Sequence, residues 1–146
     1  MEANDREIYL YQMRYAQYLF EKHGTPALGD LEAYEIAKME RIWDGLGAKE
    51  GRSLEKLVEL LWKGMGEDFS YSIDATKKGE ISIRCTACPF ATMSIENGMK
   101  EVGFSKYCMS DYGIVKGFNP KIVFTRTKTL MEGQECCDHR YRLEAD

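Results

Sequence analysis

The chain has 146 residues, of which 44% are hydrophobic and 30% charged, with a formal net charge of -4. That length fits one domain over residues 1–146 with its own core, and the acidic balance offers no basic stripe for nucleic acid. No apolar run nears the roughly 18 residues of a membrane span, and Met1–Glu7 lacks the basic and apolar regions of an export signal, so the expected setting is cytoplasmic, with no membrane partner.

Five cysteines are an odd number, so they cannot all pair internally. In a reducing compartment thiols serve as packing, metal ligands or reagents. There is no internal repeat and no low-complexity stretch.

In chain order, residues 1–66 read as helical. Asp5–Lys22 places Ile8, Tyr11 (or Gln12), Tyr15, Tyr18 and Leu19 at spacings of three and four. Asn4 or Asp5 is its expected cap, and Gly24 with Pro26 its end. The tyrosines Tyr9, Tyr11, Tyr15 and Tyr18 suit the boundary between core and water, a ligand cavity or a homodimer face. A second helix is expected from an Asp30 cap to about Asp44, and Leu46–Gly51 as a loop. Ser53 caps a third, with Leu54, Leu57, Val58 and Leu61 as a clean stripe. His23 suits a helix C-terminus and receives no catalytic role.

The period then changes. Phe69, Tyr71 and Ile73 alternate with polar residues, Ala75–Gly79 turns, and Ile81, Ile83 and Cys85 alternate again, as in a β-hairpin. Cys85 shares the face of Ile81 and Ile83 and reads as a small buried hydrophobe. Pro89 opens a helix carrying Ala91, Ile95, Met99 and Val102, which places Cys88 at its cap. The positive helix end there is expected to lower the pKa of the thiol. Gly103 is expected to stop that helix, and Ser105 to start a short one with Cys108 and Asp111 on one face. Gly117, Asn119 and Pro120 end it. Ile122–Leu130 reads as a long strand, turned by Met131–Glu135 into a last strand. On that strand Cys137, His139, Tyr141 and Leu143 share one face, and Cys136, Asp138, Arg140 and Arg142 the wetter one. The fold class expected is α+β, with N-terminal helices packed on an antiparallel sheet of two hairpins and short helices between them.

The chemistry gathers in the second half. Cys88, Cys108, Cys137 and His139 are soft donors enough for zinc or an iron–sulfur cluster, with Cys85 a weaker fifth through Cys85-x-x-Cys88. The alternative is metal-free chemistry: a Cys88 nucleophile, His139 as base, and Asp111 orienting the imidazole or activating water. Taken singly, each of these residues also fits ordinary packing or surface.

Cys88-Pro89-Phe90, Cys108-x-x-Asp111, Gly117-Phe118-Asn119-Pro120, Thr127-Lys128-Thr129-Leu130 and Gly133-x-x-Cys136-Cys137-Asp138-His139-Arg140-Tyr141 together resemble the L-2-amino-thiazoline-4-carboxylic acid hydrolase family, over roughly residues 67–143. The final hairpin is also similar to that of 4-vinyl reductase-type ligand-binding domains. The first resemblance implies hydrolysis of a carbon–nitrogen bond in a small sulfur heterocycle bearing a carboxylate. Cys88, Cys108, Asp111, Cys137 and His139 would be the matching catalytic positions, with Arg126, Arg140 and Asn119 toward the substrate. The competing expectation is a sensor domain that binds a metal or small molecule without turnover.

Overall fold

The computed structural model describes residues 1–144. It is an α+β fold in which helices α1 (Ala3–His23), α2 (Thr25–Glu50) and α3 (Leu54–Trp62) precede a sheet of β1 (Ser70–Asp74), β2 (Glu80–Ala87), β3 (Val123–Thr125) and β4 (Cys137–Arg142). Between β2 and β3 lie α4 (Pro89–Glu96), α5 (Lys100–Gly103), a π-helical turn (Phe104–Cys108) and α6 (Ser110–Phe118). The sheet is antiparallel, in the order β1-β2-β4-β3. No helix among the described residues is long and apolar enough to cross a membrane.

The first helix pair departs from the expectation at both of its boundaries. Gly24 ends α1 with φ of 76°, but Pro26 stands in the first turn of α2. Proline suits a first turn because its missing N–H has no intrahelical acceptor there. Asp30 is thus inside α2, and the expected loop from Leu46 is helix as far as Glu50. Packing overrides the glycines of that stretch, since Gly45 and Gly47 are helical and only Gly51, with φ of 92°, lets the chain leave. Ser53 caps α3 as expected, accepting from Lys56 N–H at 3.1 Å.

Two glycines set the seam between α2 and α6. A Cβ on Gly113 would stand 2.2 Å from the Ile36 carbonyl oxygen, and one on Gly117 2.1 Å from that of Glu40. No L side chain fits there, so the two helices meet backbone to backbone. Leu57, Trp62, Ile83, Phe118 and Tyr141 fill the core between helices and sheet. A second cluster, around Leu10, Met13, Met93 and Val102, packs α1 on α4 and α5.

Three further expectations change. The helix after Cys88 stops at Asn97–Gly98, where Gly98 has φ of 69°, and not at Gly103. Residues 104–108 form the π turn without a break, closed by Met109 N–H on the Phe104 carbonyl at 3.0 Å. The long strand from Ile122 shrinks to Val123–Thr125. Its continuation is diverted by Asp138, which accepts from the N–H groups of Thr127 (2.8 Å) and Lys128 (2.6 Å). Those donors would otherwise have to be met by a sheet ladder.

Candidate active site

Strand parity places the chemistry of β4. Cys137, His139 and Tyr141 are buried on the inner face, while Arg140 and Arg142 are exposed. Register then aligns Cys137 with Cys85, His139 with Ile83 and Tyr141 with Ile81 on β2. Cys136, expected on the wetter face, is buried too, because it precedes the strand and parity does not reach it.

The inner face of β4 looks into a cavity of about 410 Å³ that Cys85, Cys88, Cys108, Asp111, Arg126, Cys137 and His139 all line. Sequence positions spread from 85 to 139 thus share one hollow. Its remaining wall is largely apolar, with Met39, Leu61, Met65, Phe69 and Phe90 among the lining residues.

A buried chain of hydrogen bonds orients His139. Trp62 Nε1–H donates to the Tyr141 hydroxyl at 3.0 Å, and that hydroxyl lies 3.2 Å from His139 Nδ1. Tyr141 is fully buried, so its own proton needs an acceptor, and the indole N–H can only donate. Nδ1 is the acceptor available. The neutral imidazole then carries its proton on Nε2, as a donor. The Trp62 ring packs edge-on against the imidazole at 4.9 Å and fixes its plane.

The four cavity thiols are not equivalent. Cys137 Sγ accepts from Leu130 N–H at 3.2 Å. The Cys85 thiol beside it, then His139 and that N–H, hold the Cys137 pKa well below the ordinary thiol range against the effect of burial. Cys85, whose thiol donates to the Ala87 carbonyl at 3.2 Å, is the partner that keeps its proton: Cys137 beside it and its burial push it up. Burial also pushes Cys108 up, with Asp111 adding to it. At Cys88 burial outweighs the helix-end N–H groups of Ala91 and Phe90, and the thiol rises to about 11. The expected lowering at the helix cap is thus reversed, because a buried thiolate loses more hydration than one helix end restores.

Asp111 and Arg126 form a buried pair, with Nη1 2.6 Å from Oδ2. Burial raises the Asp111 carboxyl, opposed by His139 and Arg126. Arg126 also donates through Nη2 to the Cys108 carbonyl at 3.1 Å and lies over the rings of Tyr112 and Phe124. Both ends of its fork are therefore engaged inside the protein.

Two residues read from the sequence as substrate contacts lie outside this cavity. Asn119 follows α6, where its side chain donates to the Arg52 carbonyl at 2.9 Å and accepts from Lys121 N–H at 3.0 Å. Arg140 is on the outer face of the sheet, paired with Glu80 at 3.3 Å. Nor does the zinc or iron–sulfur expectation for Cys88, Cys108, Cys137 and His139 find a ligand set: among the described residues no three Cys, His, Asp or Glu side chains are placed to hold one metal ion. Sharing a cavity wall does not bring donors within the roughly 2.0–2.3 Å of a common ion.

Sequence reasoning missed Glu35, Lys106, Tyr107 and Trp62, which line the same cavity. Glu35 and Lys106 form a buried pair at 2.8 Å across 71 positions, and no local spacing could signal it. Trp62 carried a fair signal, as a large ring closing the apolar stripe of α3.

The model of the L-2-amino-thiazoline-4-carboxylic acid hydrolase family matches residues 19–141. The chain belongs to that family. The match takes in α2 and α3, so the family likeness reaches well beyond residues 67–143. No curated protein matches this family member significantly. Among solved structures, the chain is similar to a trafficking protein particle complex subunit 3 from Naegleria fowleri, solved covalently bound to palmitic acid. The two share 15% identity and a TM-score of 0.62, over 99% of this chain and 98% of that one. An H-NOX domain from Shewanella oneidensis, in its Fe(II)CO state, aligns at 13% identity and TM-score 0.49, over 92% of this chain and 75% of that one. At 15% identity the first likeness shows a shared fold.

Proposed function

We propose that the protein is a hydrolase of a small heterocyclic amidine, of the L-2-amino-thiazoline-4-carboxylate kind, acting at the carbon between nitrogen and sulfur. What supports this most is the placement of Cys137 Sγ, which accepts from Leu130 N–H at 3.2 Å, on a cavity wall shared with His139 and the Asp111–Arg126 pair. A thiol held toward its thiolate is a nucleophile at neutral pH.

In this reading the substrate enters with its ring nitrogen protonated, as an amidinium, and the Cys137 thiolate bonds to the carbon between nitrogen and sulfur. The exocyclic amino group passes a proton to the ring nitrogen, the carbon–nitrogen bond breaks, and the amine leaves while the carbon stays on Cys137 as an imino thioester. Water adds to that carbon, its oxygen bonding there and one of its protons going to the imine nitrogen. The carbon–sulfur bond to Cys137 then breaks and restores the thiolate, and the proton of the new hydroxyl passes to the released amine. His139 Nε2–H donates a hydrogen bond to the substrate nitrogens through these steps, and Arg126 holds Asp111 on the same cavity wall. Incubation with L-2-amino-thiazoline-4-carboxylate tests it: turnover should fall at least about 100-fold in both Cys137→Ala and His139→Ala. Turnover that survives both substitutions would remove the two residues from the mechanism.

A second reading is a small-molecule-binding module without turnover. The Naegleria fowleri subunit of the same fold was captured covalently bound to palmitic acid, and the cavity here sets thiols beside an apolar wall. Mass spectrometry separates the two readings. A stable adduct on a cavity thiol, with no product released, favours the binding module.

A further inference from the structure

On its α1–α2 side the cavity carries a charge cluster that the mechanism above does not use. Glu35 is buried on α2 and takes Lys106 Nζ at 2.8 Å and Lys38 Nζ at 2.7 Å. Lys106 comes from the π turn and is itself buried. Such turns mark places where a helix is altered to present a side chain. Burial works to raise the Glu35 carboxyl, but its bonds to Lys106 and Lys38 more than offset that and hold it low. It is ionised, and two ammonium groups facing one carboxylate leave a positive charge over.

Two further observations point to a ligand. The Tyr107 hydroxyl is buried in the same cavity wall and has no hydrogen-bond partner among the described residues. Buried hydroxyls nearly always have one. The position also suits entry: Gln12, Glu35, Lys38 and Lys106 line both this cavity and a groove of about 810 Å³ between α1 and α2. The cluster therefore stands between the two hollows, bordering both. Of the other cations considered for a carboxylate, Arg126 is held at both ends by Asp111 and Cys108, and Arg140 is outside.

We propose that Lys106, with Lys38 and the Tyr107 hydroxyl, is a carboxylate-binding subsite at the α1–α2 side of the cavity, which holds an anionic ligand whose other end reaches Cys137. The proposal rests on the hydrolase reading for what that other end is, and not for the anchor. Lys106 Nζ, which lies 5.5 Å from the centre of the Tyr107 ring, has three donors and gives one to Glu35 Oε1, which leaves others for an anionic ligand, and the Tyr107 hydroxyl is a further donor in the same wall.

Calorimetry on the full chain tests it, with Cys137→Ala to prevent turnover. The probes are L-2-amino-thiazoline-4-carboxylate, the neutral ring 2-amino-thiazoline, and hexanoate. The acid should bind at least about tenfold tighter than the neutral ring. Lys106→Gln should abolish that preference. Because Lys106→Gln also breaks a buried ion pair and can unfold the chain, Tyr107→Phe is the second variant. It should weaken the acid about fivefold with the melting temperature unchanged or raised, since that hydroxyl has no hydrogen-bond partner among the described residues. Equal affinity for acid and neutral ring, no change of preference in Tyr107→Phe, or no binding of either carboxylate would each overturn the anchor. Turnover by the unmutated chain with no preference for the acid would sink the anchor and leave the hydrolase. Hexanoate binding that Tyr107→Phe weakens, without turnover of the thiazoline acid, would keep the anchor and sink the hydrolase.

Discussion

Helix α2 faces two very different neighbours. Against α6 it meets Gly113 and Gly117 with its own carbonyl groups, at a spacing that leaves no room for a Cβ. One face round, its Glu35, Lys38 and Met39 look into the cavity, where long side chains and the rings of Tyr9, Phe90 and Tyr107 hold the elements apart. The same helix is thus clamped on one side and bridged on the other. A cavity can persist beside it because the clamp fixes α2 independently of whatever fills the hollow.

The sharpest way to break this contrast is Gly113→Val. Its Cβ would press on backbone, which has no rotamer to yield, so α2 and α6 must part. Chemical denaturation should report a loss of about 3 kcal/mol or more. A loss below about 1 kcal/mol would mean that the seam is soft.

The cavity side should respond to pH where the clamp does not. Unfolded, Cys88 and Cys108 ionise from the ordinary thiol value of 9.0; folded, burial keeps both protonated, Cys88 up to about 11. The folded chain then binds more protons than the unfolded one, so stability should fall as pH rises from about 9 to 11. Cys88→Ala should flatten that slope. Cys137 has the opposite sign, and its alkylation by iodoacetamide, followed by peptide mass, should already proceed at a pH where Cys88 is inert. In Cys85→Ala the Cys137 midpoint should move up, because the neighbour that does most to lower it is gone.

Smaller effects sharpen the contrast further. Trp62→Phe removes the donor to Tyr141 and should cost about 1–2 kcal/mol in thermal unfolding, with a larger proportional loss of turnover if His139 depends on that chain. Smallest of all, Gly45→Ala lies on α2 where an added Cβ meets nothing. It should stabilise by about 0.5–1 kcal/mol, with turnover untouched.

What the sequence disclosed depended on range. Periodicity located β2 and β4 and the inner face of Cys137 and His139, because alternation is local and each strand is flanked by turn residues. Ser53 and Pro89 marked helix starts for equally local reasons. Pro26 was legible as a break but not as a beginning, since the same residue serves both. The length of α2 and the brevity of β3 were hidden by partners far away in the chain: the packing around Gly47, and the Asp138 carboxylate taking the N–H groups after Thr125. At the site, the gathering of Cys88, Cys108, Asp111, Cys137 and His139 around one hollow could be proposed from residue type. The protonation of those thiols could not be, because it follows from burial and from Cys85 lying opposite Cys137.

Asp138 carries one more implication. It points to the solvent side of β4, yet by taking the N–H groups of Thr127 and Lys128 it helps to end β3 just before Arg126, whose side chain is paired with Asp111 in the hollow. A survey that ranked positions by nearness to the hollow would pass over it. A selection against the turnover proposed above should recover it all the same, on the face of the sheet opposite the hollow.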